Sequence, residues 1–327
     1  MKLFSFRPSG VILACLLLGL LAGCKNNSLT MPLTIEYAPI GAASTGTWYA
    51  VENGALTRWG EVLGSYEHTN LNYDQRDVVF TDAACVWGYR FGTLVLDKDG
   101  GLWTSSASGF EDAIQRDNWS FLLSDVVSAS GDVWNGAAVC SDGSLWTWGP
   151  NNHGRLANGE TDETFTFYPP QHIMDGVCKV REASYAITCD GTLYGLGLWD
   201  NCMEPVQLCE NVSDVADTLY GIQVLFRDGT LCQLDLLEDP GQIKQIDLGL
   251  TDIAAVFFNG YCTEDGDTYL WNVGEEVMLS AASAIQIPVK TQFCVHNADG
   301  YLIMTTEGAL YHVNLEGGSF CLKQLGE

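Results

Sequence analysis

Basic residues are scarce in this chain of 327: Lys and Arg number 15 against 41 Asp and Glu, for a net charge of −26. A surface of that sign is repelled by nucleic-acid phosphates and by anionic lipid headgroups, which excludes nucleic acid as a partner. Metal motifs are missing too. Among 12 cysteines there is no Cys-x-x-Cys and no Cys/His cluster with zinc spacing, so no metal is expected. The glycines form no phosphate-cradling loop, and no cofactor is expected. Five histidines, His68, His153, His172, His296 and His312, are scattered without a serine or cysteine nucleophile motif beside them. No catalytic residue is assigned. The apolar run Val11 to Leu20 falls short of the roughly 18 to 20 residues that span a bilayer.

That run does have a reading of its own. Lys2 and Arg7 supply a basic segment, the run an apolar one, and Leu21-Ala22-Gly23-Cys24 a small-residue cleavage site, the three parts of an export signal. The last four residues resemble a bacterial lipobox. The resemblance implies cleavage before Cys24, acylation of its thiol by chains such as palmitate, and a lipoprotein tethered outside the cytoplasm in the bacterial cell envelope. The expected organisation is a signal peptide over 1–23, the lipidated Cys24 and a tether over 24–34, and one domain over 35–327. Export permits disulfides. Cys178 with Cys189, and Cys202 with Cys209, are the pairs near enough in sequence to consider, and connectivity stays open.

What the chain has in quantity is one turn. In Gly136 to Gly159 an apolar run, Ala137 to Cys140, meets Asp142-Gly143, and the alternating run Leu145 to Trp148 follows at once, a β-hairpin signal. The same grammar returns at Gly54, Gly100, Gly143, Gly191, Gly229, Gly266 and Gly308. Their mean spacing of about 42 residues suits a four-stranded propeller blade. Asp77-Val78, Asp125-Val126, Asp214-Val215 and Asp252-Ile253 read as the openings of earlier strands. The expected fold is all-β, a seven-bladed β-propeller.

Trp148-Gly149-Pro150-Asn151-Asn152-His153-Gly154-Arg155-Leu156, placed after such a hairpin, resembles the repeat of the regulator of chromosome condensation (RCC1-like) family. Its hallmark is a tryptophan-glycine, an asparagine and a glycine-glutamine-leucine. Arg155 stands where the family prefers glutamine, and Ala157 where it prefers glycine. The fourth copy keeps Gly195-Leu196-Gly197 and the first Trp59-Gly60, while the fifth and seventh lack the tail. The resemblance implies a seven-bladed propeller. It does not carry the eukaryotic nucleotide-exchange activity with it, because a fold does not fix a function.

Alternating strand direction puts the turns between second and third strands on one rim and the longer connections on the other, where binding is expected. The candidate partner-binding face on that second rim comprises Trp87, Tyr89, Phe91, Trp119, Trp134, His153, Trp199, Tyr220 and Phe258, with Tyr168 beside it. Large aromatic side chains of this kind dominate binding hot spots. The function read from these residues is a noncatalytic, monomeric, lipid-anchored module that recognises a protein. A carbohydrate-binding propeller is one alternative. The other is an envelope hydrolase or lyase with carboxylates such as Asp132, Asp217 and Asp299 at the channel. Closure is expected from Leu33 to Tyr37 lying beside the last strand, Ser319 to Leu325.

Overall fold

The seven turn glycines all adopt a backbone that other residues resist. In the computed structural model their φ angles lie between 78° and 95°, the left-handed region open to glycine at no steric cost. The structure describes residues 33 to 325 apart from 34, 44–46, 61–75, 90–91, 106–118, 200–201, 220, 237–242, 272–278, 280–282, 298–299 and 317–318. All of these belong to one unit, Met31–Glu327. The expected export signal and Cys24 lie outside the described residues.

In three of the turns the aspartate side chain folds back to close the loop. The Asp142 carboxylate accepts from the Ser144 backbone N–H at 2.9 Å and its hydroxyl at 2.6 Å. Asp228 does the same with Thr230, and Asp190 accepts from Thr192. These are Asx-type turns, which explains why Asp-Gly-Ser/Thr recurs.

Five of the turns join the second and third strands of separate four-stranded antiparallel sheets, and the turns at Gly266 and Gly308 lie in one continuous seven-stranded sheet that spans two blades. Blade 1 holds β1 (Ile40–Ala43), β2 (Thr47–Glu52), β3 (Ala55–Gly60) and β4 (Asp77–Thr81). Blade 2 holds β5 (Ala83–Tyr89), β6 (Gly92–Asp97), β7 (Leu102–Thr104) and β8 (Ser120–Leu123). Blade 3 holds β9 (Val126–Gly131), β10 (Gly136–Cys140), β11 (Leu145–Pro150) and β12 (Phe167–Met174). Blade 4 holds β13 (Val177–Arg181), β14 (Tyr185–Thr188), β15 (Leu193–Gly195) and β16 (Val206–Cys209). Blade 5 holds β17 (Val212–Thr218), β18 (Gly221–Phe226), β19 (Leu231–Leu236) and β20 (Ile243–Leu250). Blade 6 holds β21 (Ile253–Phe257), β22 (Gly260–Thr263), β23 (Asp267–Trp271) and the first half of β24 (Ala284–Asn297). Blade 7 takes the second half of β24, then β25 (Gly300–Thr305), β26 (Leu310–Glu316) and β27 (Ser319–Leu325). The fold is all-β, and among the described residues there is no α-helix.

One cavity is lined by a residue from the first strand of every blade: Gly41, Val86, Ala129, Arg181, Val215, Val256 and Val295. Seven innermost strands therefore surround one channel, in agreement with seven copies of the turn. Between blades the contacts are apolar, as where Ile187 and Leu193 of blade 4 meet Val212 and Val215 of blade 5. Blade 1 closes on blade 7 in the same way, with Ile40, Trp48 and Trp59 packed on Leu302 and Leu310.

Two expectations need correction. Asp77-Val78 sits in β4, an outermost strand, and Asp214-Val215 sits two residues inside β17. The residues that turn into the innermost strands are Asp82, Asp125, Gly176, Asn211 and Asp252, all at positive φ between 58° and 79°. Asp and Asn tolerate that region through local hydrogen bonding. The second correction concerns closure. Residues 35 to 38 do not lie beside β27, which among the described residues pairs only with β26. Instead the Glu36 backbone N–H donates to the Val127 carbonyl at 2.7 Å, and the Val86 N–H donates to the Ala38 carbonyl at 2.8 Å. The segment crosses the channel because Glu36 is drawn to a cation there.

Candidate functional site

That cation is Arg181, at the end of β13. Its guanidinium grips both Asp214 oxygens, at 2.9 and 3.1 Å, and also reaches Glu36. Lys179 donates to Asp214 at 3.1 Å, and the Ser128 hydroxyl to Glu36 at 2.7 Å. Burial pushes both carboxyls up, yet the Arg181 charge beside each outweighs it and holds them below the ordinary range. Arg181 in turn stays charged despite its own burial because both carboxylates face it. Four charges of balanced sign thus tie the N-terminal segment to blades 4 and 5.

Beyond this network lies a cavity of about 340 Å³, a volume typical of small-molecule pockets. Glu182 and Arg181 line it on one side, Phe258 and His296 on the other. His296 stacks on Phe258 at 3.6 Å, and burial lowers its pKa to about 4, so the ring is neutral. Three carboxyls, Asp132, Glu182 and Asp217, each in or just after the first strand of its blade, lie near enough for their charges to act on one another, and Glu182 lines the cavity. Burial, Asp217 and Asp132 raise Glu182 to about 8 against the pull of Arg181. Asp217 rises to about 6 through burial and Asp132, opposed by a hydrogen bond from Tyr185. Asp132 is otherwise engaged: it accepts from the backbone N–H of Trp134 and of Asn135, both at 2.9 Å, and from Arg155 at 3.0 Å. Among the described residues no group of three or more His, Cys, Asp or Glu is placed to hold a metal. Asp299 lies outside the described residues.

On the same rim a loop runs from the end of β11 to β12, and its scaffold is the repeat tail seen in the sequence. Asn151 donates through its amide to the Asn158 side chain at 3.1 Å and to the Glu160 carbonyl at 3.0 Å, and accepts from the Leu156 N–H at 3.0 Å. Leu156 is fully buried. Asp162 accepts from the Thr164 N–H and hydroxyl and from the Tyr168 hydroxyl at 2.6 to 2.7 Å. So fixed, the loop carries Phe165 out to 54% exposure. Phe165 meets Trp134 edge-on at 5.2 Å and Phe167 at 5.7 Å, and Trp134 lies 6.3 Å from Phe167.

The anticipated face separates into distinct environments. Trp134 stands in this aromatic ridge, and His153, at φ 62°, is exposed on the same loop. Trp87 and Phe258 line the cavity. Tyr89 is buried, shares a hydrogen bond with the Thr104 hydroxyl at 3.2 Å, and packs under Gly131. Trp119 wedges between blades 1 and 2, its indole donating to the Val79 carbonyl at 2.9 Å with Phe80 edge-on. Trp199 is only 9% exposed. Phe91 and Tyr220 lie outside the described residues. Sequence reasoning missed Phe165, Phe167 and Glu182. Phe165 sits in an unrepeated loop and Phe167 opens β12 just after it, and only the length of that connection pointed to them. Of the two cysteine pairs considered, Cys178 and Cys189 are bonded across blade 4, while Cys202 and Cys209 are free.

Known proteins agree with this picture. The family model of the regulator of chromosome condensation (RCC1) repeat matches residues 142–185, from the blade 3 turn through that loop into blade 4. The E3 ubiquitin-protein ligase HERC2 of Homo sapiens, and likewise that of Mus musculus, is 37% identical over 81 residues, 24% of this chain. The match spans 2% of those relatives' own length. Human WBSCR16 superposes with a TM-score of 0.60 at 14% identity, over 81% of this chain and 85% of its own. Prp20p of Saccharomyces cerevisiae does so with a TM-score of 0.56 at 12% identity, over 92% and 88%. Residues 142–185 thus carry an RCC1-type repeat, and the architecture around the ring is the propeller fold of these solved structures.

Proposed function

We propose that this protein is a noncatalytic, lipid-anchored module of the bacterial cell envelope that recognises a protein through its loop-rich rim. The observation carrying this reading is the ridge of Trp134, Phe165 and Phe167. Three rings in mutual contact, one of them half exposed on a braced loop, make a contiguous apolar patch, which suits a protein surface. Isolated aromatic platforms would have suited a glycan. Propellers of this fold also serve as protein-interaction scaffolds: yeast Prp20p is described with its binding to Gsp1p and histones. The anchor rests on the lipobox at Cys24. Replacing Cys24 with Ser should abolish acyl labelling and release the domain; persistent labelling would refute the anchor. For the recognition step, the soluble form beginning after Cys24 should retain an envelope protein that Trp134→Ala releases. Equal retention by both forms would sink the assignment to this rim.

A second reading is favoured by one specific feature, the convergence of Asp132, Glu182 and Asp217 beside the cavity. Two carboxyls with raised and unequal pKa values are what general acid and base catalysis requires. A hydrolase or lyase would act there. Turnover of an envelope polysaccharide by the wild type, abolished in Glu182→Gln with the fold intact, would move the assignment to this reading.

A further inference from the structure

We propose that the ridge of Trp134, Phe165 and Phe167 is a docking surface for a basic segment of a partner protein, one that presents arginine or lysine side chains. The inference rests on the protein-recognition reading above and specifies the chemistry of the partner.

Three observations carry it. First, the ridge is built in advance. Asn151 and Asp162 fix the loop through hydrogen bonds at both ends, so little ordering cost is left for binding. Second, the ridge ends in an exposed ring: Phe165 at 54% forgoes burial that any core position would have provided, while Trp134 and Phe167 are half-buried behind it. Third, acidic side chains outnumber basic ones around it. Glu160, Asp162 and Glu163 flank Phe165 along the loop, and Asp132 lies two residues from Trp134. The cation Arg155 of this loop is engaged with Asp132 at 3.0 Å. Aromatic faces carry negative charge density that attracts guanidinium and ammonium groups. A rim of carboxylates around such faces adds long-range attraction for a cationic segment, and the whole chain at −26 adds more. Arginine fits both elements, since its planar group stacks on a ring while its N–H groups bond a carboxylate. Anionic lipids and nucleic acids are repelled by the same field.

The test uses the full domain from residue 25, with labelled nona-arginine as the probe and fluorescence anisotropy as the readout. Nona-arginine should bind, a nona-glutamate peptide should not, and Phe165→Ala or Trp134→Ala should weaken binding by about 30-fold, the size expected of a hot spot. Neutralising Glu160 and Glu163 together as Gln should weaken it less and flatten its salt dependence. The control removes more charge from the other rim: Asp99→Asn, Asp142→Asn and Asp228→Asn combined should leave binding within a factor of about two, as for exposed groups remote from an interface. If this triple variant loses as much as the ridge variants, the attraction is diffuse and the proposal fails. It also fails if maltohexaose occupies the ridge while nona-arginine does not. A native partner that Trp134→Ala releases but nona-arginine cannot displace would keep the rim as the recognition site and refute the basic segment. A partner indifferent to every rim variant would refute both. Because Phe165 is more exposed than buried, its variant should fold normally, and an unchanged melting curve verifies this.

Discussion

The two rims of this ring are built to different rules. On one, every second-to-third-strand turn has a glycine at nearly the same positive φ, and the returns to the innermost strands use Asp, Asn or Gly at a similar angle. On the other, connections range from two residues between β21 and β22 to the braced loop between β11 and β12. The repeated rim serves the ring, since each turn fixes the register of a hairpin whose inner face must meet the next blade. The varied rim is released from that duty and can carry exposed rings and buried, proton-holding carboxyls. The division predicts that changes on the first rim cost stability, while changes on the second cost binding or pH response.

The largest effect should come from the channel between the rims, at Arg181. Arg181→Ala leaves Glu36 without its cation and Asp214 with Lys179 alone, all part-buried, and breaking a buried ion pair costs about 3–5 kcal/mol, so a loss toward the lower end is expected. Urea unfolding should show that loss; a loss under about 1 kcal/mol, the value of an exposed pair, would show the network to be idle. Next comes a contrast within the varied rim. Trp199, at 9% exposure, should cost about 3 kcal/mol on truncation to Ala, as buried aromatics do. Trp134→Ala should cost far less stability and yet lose the partner. If both tryptophans behave alike, the rim is not divided as described.

A smaller effect is expected on the repeated rim. Gly143→Ala, at φ 86°, should cost about 1–2 kcal/mol, and variants at well-separated turns should add. The mildest test is pH. Glu182 and Asp217 have folded pKa values of about 8 and about 6, above those of the unfolded chain. Between the ordinary carboxyl range and those values the folded state holds protons that the unfolded chain has released, so stability falls as pH rises from about 5 to 8. Glu36 and Asp214 are shifted the other way, and their contribution is lost as pH drops below the ordinary range. Melting temperatures at pH 5, 6.5 and 8 should decline, and Glu182→Gln should flatten the decline. Repulsion within an acidic chain has the same sign, so the difference between the two proteins is the measurement; parallel slopes would remove Glu182 from the account.

How much could be read in advance follows the same division. Position 143 and its six counterparts were legible because the backbone angle there nearly dictates the residue. The tail Trp148 to Leu156 was legible as a family mark, and its physical sense, an asparagine bracing a long loop, emerged only with the hydrogen bonds. Asp77-Val78 misled because an acid before an apolar residue also suits an outermost strand. Phe165 and Phe167 left no periodic trace, since a connection outside the four-strand pattern has no reason to repeat. The path of Leu33 to Tyr37 was hidden for a further reason. Alternation in five residues suggests an edge strand, whereas the actual partner is a charge at position 181, and pairing over that distance has no local signature.

The packing of blade 1 against blade 7 has a consequence in time. Trp48 and Ile40, at 0% and 2% exposure, are covered in part by Leu302 and Leu310, so the first sheet of the ring stays uncovered until the strands of its seventh blade have been made. Contacts of such sequence separation form slowly, and open apolar sheets invite aggregation while they wait. A ribosome stalled before Leu302 would therefore hold a chain with most of its blades assembled and its first tryptophans still bare, a substrate for chaperones rather than a smaller propeller.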